Sequence, residues 1–348
     1  MNTAVTTHYA EGAYDSRHIP NQSPQIRKHA GLLTTTLPWG DTEDIAPFSF
    51  IDDYSPERLR DLEEDERKNP GIRQRNEAIF HNACNHLCYR RAHASLWTQI
   101  WLYMWGLGRA LTLIGAALYF FIFVPIMAYM EIRIAGGLRE AVDDLVTSAC
   151  WVFIPTLSCW LIGHIAIYRL SSHWILKPSE GPLWELNRQT GQVTVFARKP
   201  GQFSHLGIDG DFVRPFYEFD ACVHILPSRQ GLPQYSLHLV HRYQPVAIDF
   251  KPVTGLQSSE QACFALWDMW QNYMDISHPL PDIPTWEEFR PLDPTTAEHD
   301  RLTGRNPRYW RDMDKETYKN VIDELLIRIQ KLDAFSRPNL MSQHVRYL

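Results

Sequence analysis

Two long apolar stretches in the first half of the chain restrict what it can fold into more than any other feature. Residues 110–130 are 21 consecutive positions without Asp, Glu, Lys, Arg or His. At about 1.5 Å of rise per residue, a helix of this length spans about 32 Å, which matches the hydrocarbon core of a bilayer. Residues 145–168 form a second stretch of 24 positions, in which His164 is the only side chain of those five types. The alternative is a buried hairpin in a water-soluble protein, but the first stretch is too long and too uniformly apolar for it. The sequence therefore predicts a two-helix transmembrane hairpin over residues 110–168.

Aromatic residues flank the two stretches and indicate how the hairpin is oriented. Trp97 and Trp105 precede the first stretch and Trp174 follows the second, as expected for side chains in the headgroup region. Both ends of the hairpin are therefore expected on the same side of the membrane. Residues 1–109 lack the basic, apolar and small-residue regions of a cleavable signal, so we expect both termini in the cytoplasm and the loop 131–144 on the opposite side.

The region before the hairpin is predicted to have two parts. Residues 1–72 are interrupted by many prolines and glycines and show little periodicity, which predicts an irregular N-terminal arm. In residues 73–109, apolar side chains such as Ile79, Ala83 and Leu87 recur every four positions. This spacing predicts a cytoplasmic amphipathic helix that runs into the membrane.

The region after the hairpin changes to a period of two, which is typical of strands. Residues 183–186 and 192–196 flank a turn signal at 187–191 and predict a β-hairpin. Further strands are predicted at residues 213–219, 221–226, 235–243 and 246–251. A helix that begins after Ser259 then completes a β-rich domain over residues 174–278. This element order is similar to a pleckstrin-homology-like roll, and an α+β sandwich is the alternative.

The last part of the chain, residues 279–348, is predicted to be a proline-rich connector followed by a C-terminal helix over about 314–335. The predicted fold class is therefore an α+β membrane protein. It combines a transmembrane hairpin with a pleckstrin-homology-like β-roll plus helix and a C-terminal helix.

The charge balance and the cysteines exclude two classes of protein. The 34 Lys and Arg against 40 Asp and Glu give a net charge of −6, so no overall basic field favours nucleic acid, which we do not expect as a partner. The six cysteines lie in predicted cytosolic segments or inside a span, where a disulfide framework is not expected. They are Cys84, Cys88, Cys150, Cys159, Cys222 and Cys263. We expect free thiols.

One short segment contains four potential metal ligands, His81, Cys84, His86 and Cys88. On the predicted helix His86 points away from the other three, and no second pair completes a tetrahedral site. We therefore expect no metal site and interpret the two cysteines as small buried hydrophobic residues.

No motif in the sequence indicates a reaction. Nucleophile elbows, zinc-protease motifs and phosphate-binding glycine patterns are absent, so the chain is predicted to be non-enzymatic and without a cofactor. His238 and His241 differ by an odd number of residues and are predicted to face opposite sides of a sheet. The acid-base triplet 298–300 is interpreted as a solvated surface, and His164 as a side chain that reaches the membrane interface.

The densest group of basic and aromatic residues in the chain lies in the tail and is the predicted partner- or lipid-binding site. It consists of Arg301, Arg305, Arg308, Tyr309, Trp310 and Arg311. Such a group can bind anionic headgroups or an acidic protein surface. The alternative is intramolecular: the arginines pair with Glu287, Glu288 or Asp312 and dock the tail, and this interpretation is the one the sequence favours.

Several segments together resemble a group of inner-membrane proteins of Gram-negative bacteria. They are the hairpin, the opening of the β-rich region at 181–188 (GPLWELNR), and the tail segments 289–296 (FRPLDPTT) and 305–311 (RNPRYWR). The resemblance covers about residues 75–335. Members of this group are encoded beside type VI secretion effectors and Rhs toxins, which implies an immunity or accessory role.

The resemblance implies an inner-membrane location and two kinds of partner, the lipid bilayer and a protein, either a toxin or a secretion component. It leaves homo-oligomerisation open. The alternative function is a membrane-tethered scaffold or sensor whose β domain binds anionic lipid or a partner peptide. No catalytic residue is implied.

Overall fold

The computed structural model describes residues 8–25, 33–40, 42–130, 138–169, 172–175, 177–228 and 230–347. These residues form nine strands and eleven α-helices, so the predicted α+β class is confirmed. The strands are β1 (Thr34–Thr36), β2 (Ala83–Cys84), β3 (Cys88–Ala92), β4 (Pro182–Asn187), β5 (Gln192–Val195), β6 (Phe212–Pro215), β7 (Phe219–Pro227), β8 (Pro233–His241) and β9 (Ala247–Asp249). The helices are α1 (Ser49–Asp52), α2 (Pro56–Lys68), α3 (Ile72–Phe80), α4 (Leu96–Leu118), α5 (Val124–Met130), α6 (Leu138–Arg169), α7 (Ser172–Ile175), α8 (Lys251–Thr254), α9 (Glu260–Met274), α10 (Pro294–Thr303) and α11 (Lys315–Lys331).

The chain divides into two compact units. Met1–Arg91 and Pro182–Leu348 together form the globular unit, and Ala92–Gly181 forms the hairpin unit. Residues 1–72, 174–278 and 279–348, which the sequence divides into successive parts, all contribute buried side chains to one core.

Two sheets form the framework of the globular unit. Sheet A has the order β1-β7-β8-β9, and sheet B has the order β2-β3-β4-β5-β6. The predicted β-hairpin is confirmed, since β4 and β5 pair antiparallel from Trp184 opposite Val195 to Asn187 opposite Gln192. A pleckstrin-homology-like roll is not confirmed. The strands belong to two sheets, and one edge of each sheet is formed by a strand from the N-terminal third of the chain.

Helix α9 confirms the helix predicted after the strands, but its environment differs from the expected one. Twelve of its fifteen residues are buried, including polar ones. The carboxylate of Asp268 accepts hydrogen bonds from the backbone N–H groups of Glu43 at 2.9 Å and Ile45 at 3.3 Å, and it pairs with Arg337 at 2.5 Å. The helix is thus enclosed by the arm and the tail as well as by the sheets, so it buries a full circumference instead of one face.

The N-terminal arm is more ordered than predicted. Helix α2 begins where the hydroxyl of Ser55 accepts a hydrogen bond from the N–H of Arg58. Trp39 is fully buried and donates its indole N–H to the carboxylate of Asp220 at 3.4 Å. A Cβ at Gly191 would lie 2.5 Å from the backbone N of Tyr14, so the arm crosses the β4–β5 turn where glycine has no side chain. The contacts of Trp39 and Gly191 join residues far apart in sequence, which is why local periodicity does not indicate them.

The amphipathic helix predicted over residues 73–109 is also wrong. Helix α3 ends at Phe80, and His81 has φ 53°, in the left-handed region that does not continue a right-handed helix. The chain then forms the β2–β3 hairpin, and a new helix begins after Ser95. Pairing of β3 with β4 in sheet B overrides the four-residue apolar spacing.

The hairpin unit contains two helical segments that are long and apolar enough to cross a membrane. They are Leu96–Met130, with 35 residues, and Val142–Arg169, with 28 residues. Only 6% of the apolar window of the first and none of the second is buried, whereas the core helices of a water-soluble protein are mostly buried. Half of the predicted outer loop, residues 131–137 of 131–144, lies outside the described residues.

The two long helices of the hairpin unit contact each other through glycines. A Cβ at Gly108 would lie 2.6 Å from the backbone N of Trp160, and a Cβ at Gly163 would lie 2.6 Å from the backbone N of Trp105. Small residues allow such close backbone approach between apolar helices. Farther along, the hydroxyl of Tyr119 donates to the carbonyl of Leu145, at a π-helical turn over Tyr119–Phe123.

Candidate functional site

The basic and aromatic group predicted in the tail forms ion pairs within the globular unit. Arg305 donates two hydrogen bonds of 2.6 and 2.7 Å to Asp282, and Trp310 donates its indole N–H to the same carboxylate at 2.9 Å. Burial alone would raise the pKa of Asp282, but the arginines beside it outweigh burial and lower the pKa below its ordinary value. Arg301 pairs with Glu298 at 2.6 Å on the exposed face of α10.

The other two arginines of this group connect the tail to α2. Arg308 and Arg311 contact the carboxylate of Glu63 at 2.8 and 3.3 Å, and Arg311 also lies 3.7 Å from Glu287. Tyr309 stays partly exposed. Since every arginine of the group has a carboxylate partner in the same unit, the geometry favours the intramolecular interpretation over binding of anionic lipid.

The segment with four potential metal ligands lies on the β2–β3 hairpin and not on a helix, so the predicted shared helical face does not exist. Cys84 ends β2 and Cys88 begins β3. Burial raises the pKa of both thiols, that of Cys88 to about 12. Among the described residues, no group of three or more His, Cys, Asp or Glu side chains is arranged to hold a metal ion.

The other singled-out histidines and acids lie at separate places in the globular unit. His241 is buried and its ring contacts Glu218 at 2.9 Å, whereas His238 faces the other side of β8, with its ring centroid 4.0 Å from that of His224. The predicted opposite orientation of His238 and His241 is therefore confirmed. Within the acid-base triplet, Asp300 pairs with buried Arg290 at 2.6 Å.

A cleft of about 440 Å³ opens in the globular unit beside β2, the strand that ends sheet B. Five segments form its walls: the region from α1 into α2, α3, the β2–β3 hairpin, α8, and a 3₁₀-helix over Pro284–Leu292. A volume of about 300–1,000 Å³ is usual for sites that hold a small molecule or a side chain of a partner. We therefore consider this cleft the candidate binding site.

Aromatic and charged side chains line the cleft together. Phe50 and Tyr89, both buried, belong to its inner surface. Arg73 forms an ion pair with Glu288 across two of its walls. Arg90 donates from Nε to Glu185 at 2.5 Å. Two of the arginines in the cleft are thus already neutralised by carboxylates.

Burial inside the cleft raises the pKa of two further groups. It raises the pKa of Glu77, an effect that Asn85, Arg90 and Arg73 only partly offset. It also raises the pKa of Tyr54 to about 12. Both side chains are half-buried in the walls of the cleft.

The sequence does not indicate this cleft, because its walls come from five separate segments. The available signal was the pattern of residues 83–92, which also fits a short hairpin with a turn at 85–87. When the same residues are interpreted as part of a helix, no strand edge is predicted there.

Comparison of the chain with protein-family models, with curated proteins and with solved structures finds no match.

Proposed function

We propose that this chain is a membrane-anchored binding protein. In this proposal the hairpin unit crosses the bacterial inner membrane twice, both termini lie in the cytoplasm, and the globular unit binds a protein partner through its cleft. The partner is a type VI secretion toxin or secretion component, which the chain neutralises or escorts without catalysing a reaction. The resemblance of the tail and β-rich segments supports the choice of partner.

The observation that carries the proposal is the exposure of apolar side chains along both long helices. Phe121 and Trp151 are 82% and 75% exposed, and together with many other large apolar residues they would face water if the hairpin were not in lipid. Monomeric proteins in water rarely expose apolar patches larger than a few hundred Å². A bilayer removes this cost, because lipid chains cover the same surface.

Membrane insertion is tested with Ile114→Lys in the full chain, compared with Ile114→Phe. Ile114 lies near the middle of the first helical segment and is 59% exposed. A lysine at the centre of a span costs about 2.5–3.5 kcal/mol, so we expect the lysine variant to leave the carbonate-resistant membrane fraction while the phenylalanine variant stays in it. Equal membrane retention of both variants would contradict insertion of this helix.

The toxin-binding role is tested by deleting the gene and exposing the strain to the effector encoded beside it. We expect survival to fall and to be restored by the wild-type chain but not by the Ile114→Lys variant. Unchanged survival of the deletion strain would refute an immunity role. Reporters fused to each terminus separately test the predicted orientation.

The anionic-lipid alternative makes a different prediction. If the globular unit bound anionic headgroups through its tail arginines, replacing Arg301, whose side chain is 67% exposed, would weaken binding to vesicles that contain phosphatidylglycerol. The existing carboxylate partners of the arginines lead us to expect no change.

A further inference from the structure

We propose that the cleft binds an extended polypeptide segment, which adds a strand to the free edge of β2 and inserts a large uncharged side chain among the aromatic residues. This inference rests on the proposed function in one respect, namely that the globular unit binds a protein partner. It adds the mode of recognition and the chemistry of the recognised segment.

The backbone of β2 offers hydrogen-bonding groups at the edge of sheet B. In the described part of the chain β2 pairs with β3 on one side and ends the sheet on the other. The N–H of Asn85 bonds to the carbonyl of Cys88 at 3.1 Å, and Cys84 lies opposite Tyr89. Because hydrogen-bonded and non-hydrogen-bonded pairs alternate in an antiparallel ladder, the N–H and C=O of Cys84 point away from β3.

An independent contact supports this orientation of the backbone. The carbonyl of Leu87 accepts a hydrogen bond from the N–H of Arg188, just after β4. The backbone N–H and C=O groups of residues 87 and 89 therefore point towards β4, whereas the carbonyl of Cys88 points towards the β2 side. The outward direction of the Cys84 groups follows from the same alternation.

The cleft reaches both faces of the β2–β3 hairpin, which is possible only at a strand edge. Ala83 and its partner Arg90 lie on one face, whereas Cys84 and its partner Tyr89 lie on the other, and all four line the cleft. The thiol of Cys84 packs against the core while the residue keeps partial exposure. Cys84 therefore keeps part of its surface open to the cleft, where a bound strand would contact it.

The paired arginines of the cleft favour a polypeptide with an uncharged anchor over a small anion. Arg73 is paired with Glu288, and Arg90 with Glu185, so an anion bound at either arginine would have to displace an existing partner. A main chain brings alternating donors and acceptors that match a strand edge, and a large apolar side chain fits beside Tyr89. Addition of a strand to a sheet edge meets each of these requirements.

Helix α3, the outer wall of the cleft, contributes no buried residue to the core. None of the nine residues of α3 is buried, and Ile79 is 41% exposed. Left-handed residues flank this helix, Gly71 with φ 77° and His81 with φ 53°. Displacing α3 outwards would therefore uncover little apolar surface, although it would break the ion pair between Arg73 and Glu288.

The test uses the full chain in detergent, with a bead-displayed library of random octapeptides as the probe. Two variants at one position separate the backbone from the side chain: Cys84→Ala removes the thiol and keeps the N–H, whereas Cys84→Pro removes the N–H as well. We expect the wild-type chain to enrich peptides with a large apolar residue. We expect Cys84→Ala to bind these within about twofold of wild type and Cys84→Pro to bind about tenfold more weakly, the effect of one lost hydrogen bond.

Hydrogen exchange in the wild-type chain gives a second readout that does not depend on a variant folding. We expect the amide of Cys84 to exchange at least about tenfold more slowly when an enriched peptide is bound. Failure to enrich any peptide, equal affinity of the two variants, or an unchanged Cys84 amide would each overturn the inference. If cells are still protected from the toxin in that case, the proposed function stands without it; if edge binding is found but protection is not, only the toxin assignment fails.

Discussion

Replacing Arg188 by Met should destabilise the globular unit more than any exposed substitution. The side chain of Arg188 is fully buried, and it contacts Asp293 through Nε at 3.0 Å and Nη2 at 3.2 Å. Its Nη1 also donates to the carbonyls of Tyr273 at 2.7 Å and Asp275 at 2.8 Å, where α9 ends. Arg188 thus satisfies a buried carboxylate and the last carbonyls of the central helix at the same time.

The magnitude follows from what the substitution leaves behind. Methionine fills a similar volume but leaves the carboxylate of Asp293 buried without its counter-charge, and breaking a buried ion pair in this way costs about 3–5 kcal/mol. For a unit of this size each kcal/mol lowers Tm by about 2–4 °C, so we expect Tm to fall by about 6–20 °C. Arg188→Met combined with Asp293→Asn removes the orphaned charge and should recover part of this loss.

The dependence on pH separates loss of the ion pair from loss of packing. Burial by itself raises the pKa of Asp293, but Arg188 and the hydrogen bonds from Thr296 and Tyr9 outweigh it, so the pKa lies below its ordinary value. A lowered pKa stabilises the wild type above the unfolded pKa, and this contribution is lost as the pH falls through the folded pKa. Without Arg188 burial dominates and the pKa rises, so the variant loses stability as the pH rises. The difference between wild type and variant should therefore be smaller at pH 4 than at pH 7.

The assay is thermal unfolding of the full chain in detergent, followed by tryptophan fluorescence, because several tryptophans are buried in the globular unit. Wild type, the single variant and the double variant are compared at both pH values. A loss of stability that is the same at pH 4 and pH 7, or a double variant less stable than Arg188→Met alone, would refute the assignment of the effect to the ion pair.

Two further pairs of variants test the hairpin and the tail by the same unfolding assay. Gly163→Ala places a Cβ 2.6 Å from the backbone N of Trp105 and should lower the free energy of unfolding by about 1–3 kcal/mol. Gly115→Ala, whose Cβ would have its nearest neighbour at 4.0 Å, should be neutral or stabilise the hairpin. A loss of stability at both positions would contradict the close contact at Gly163. Arg305→Ala removes the two hydrogen bonds to Asp282 from a side chain that is 10% exposed, and it should lower the free energy of unfolding by about 1–3 kcal/mol. Arg301→Ala, at an exposed ion pair with Glu298, should cause no measurable change. Equal effects of the two variants would mean that burial does not decide how much these ion pairs contribute to stability.

Elements that are stabilised mainly by their own residues could be predicted from the sequence. The β4–β5 hairpin carries its turn signal and its alternation within 14 residues, so both its position and its pairing were predicted. Helix α11 was expected at 314–335 and is found at Lys315–Lys331, because its cap residue and its apolar spacing are local. The two apolar helices were predicted from length and composition alone.

The cleft and the ion pairs could not be predicted, because their partners are distant in sequence. Arg188 and Asp293 are 105 residues apart, and Arg308 and Glu63 are 245 residues apart. The sequence pointed correctly to an intramolecular use of the tail arginines, but the partners it suggested included only residues nearby in the tail. Nothing local marked Glu63 of α2 as a partner of Arg308.

The helix predicted over residues 73–109 is the reason that the sequence does not predict the candidate binding site. Ile79, Ala83 and Leu87 are spaced as on a helix, but Ala83 and the Cys84 that follows it form an edge strand. A four-residue spacing fits both a helical stripe and one face of a strand, because four is close to one helical turn and is an even number of strand positions. The choice between them depends on β4, which lies about 90 residues further along the chain and supplies the sheet that β3 joins. A binding edge of this kind is therefore visible only after the sheet is assembled, although each of its residues can be read in the sequence.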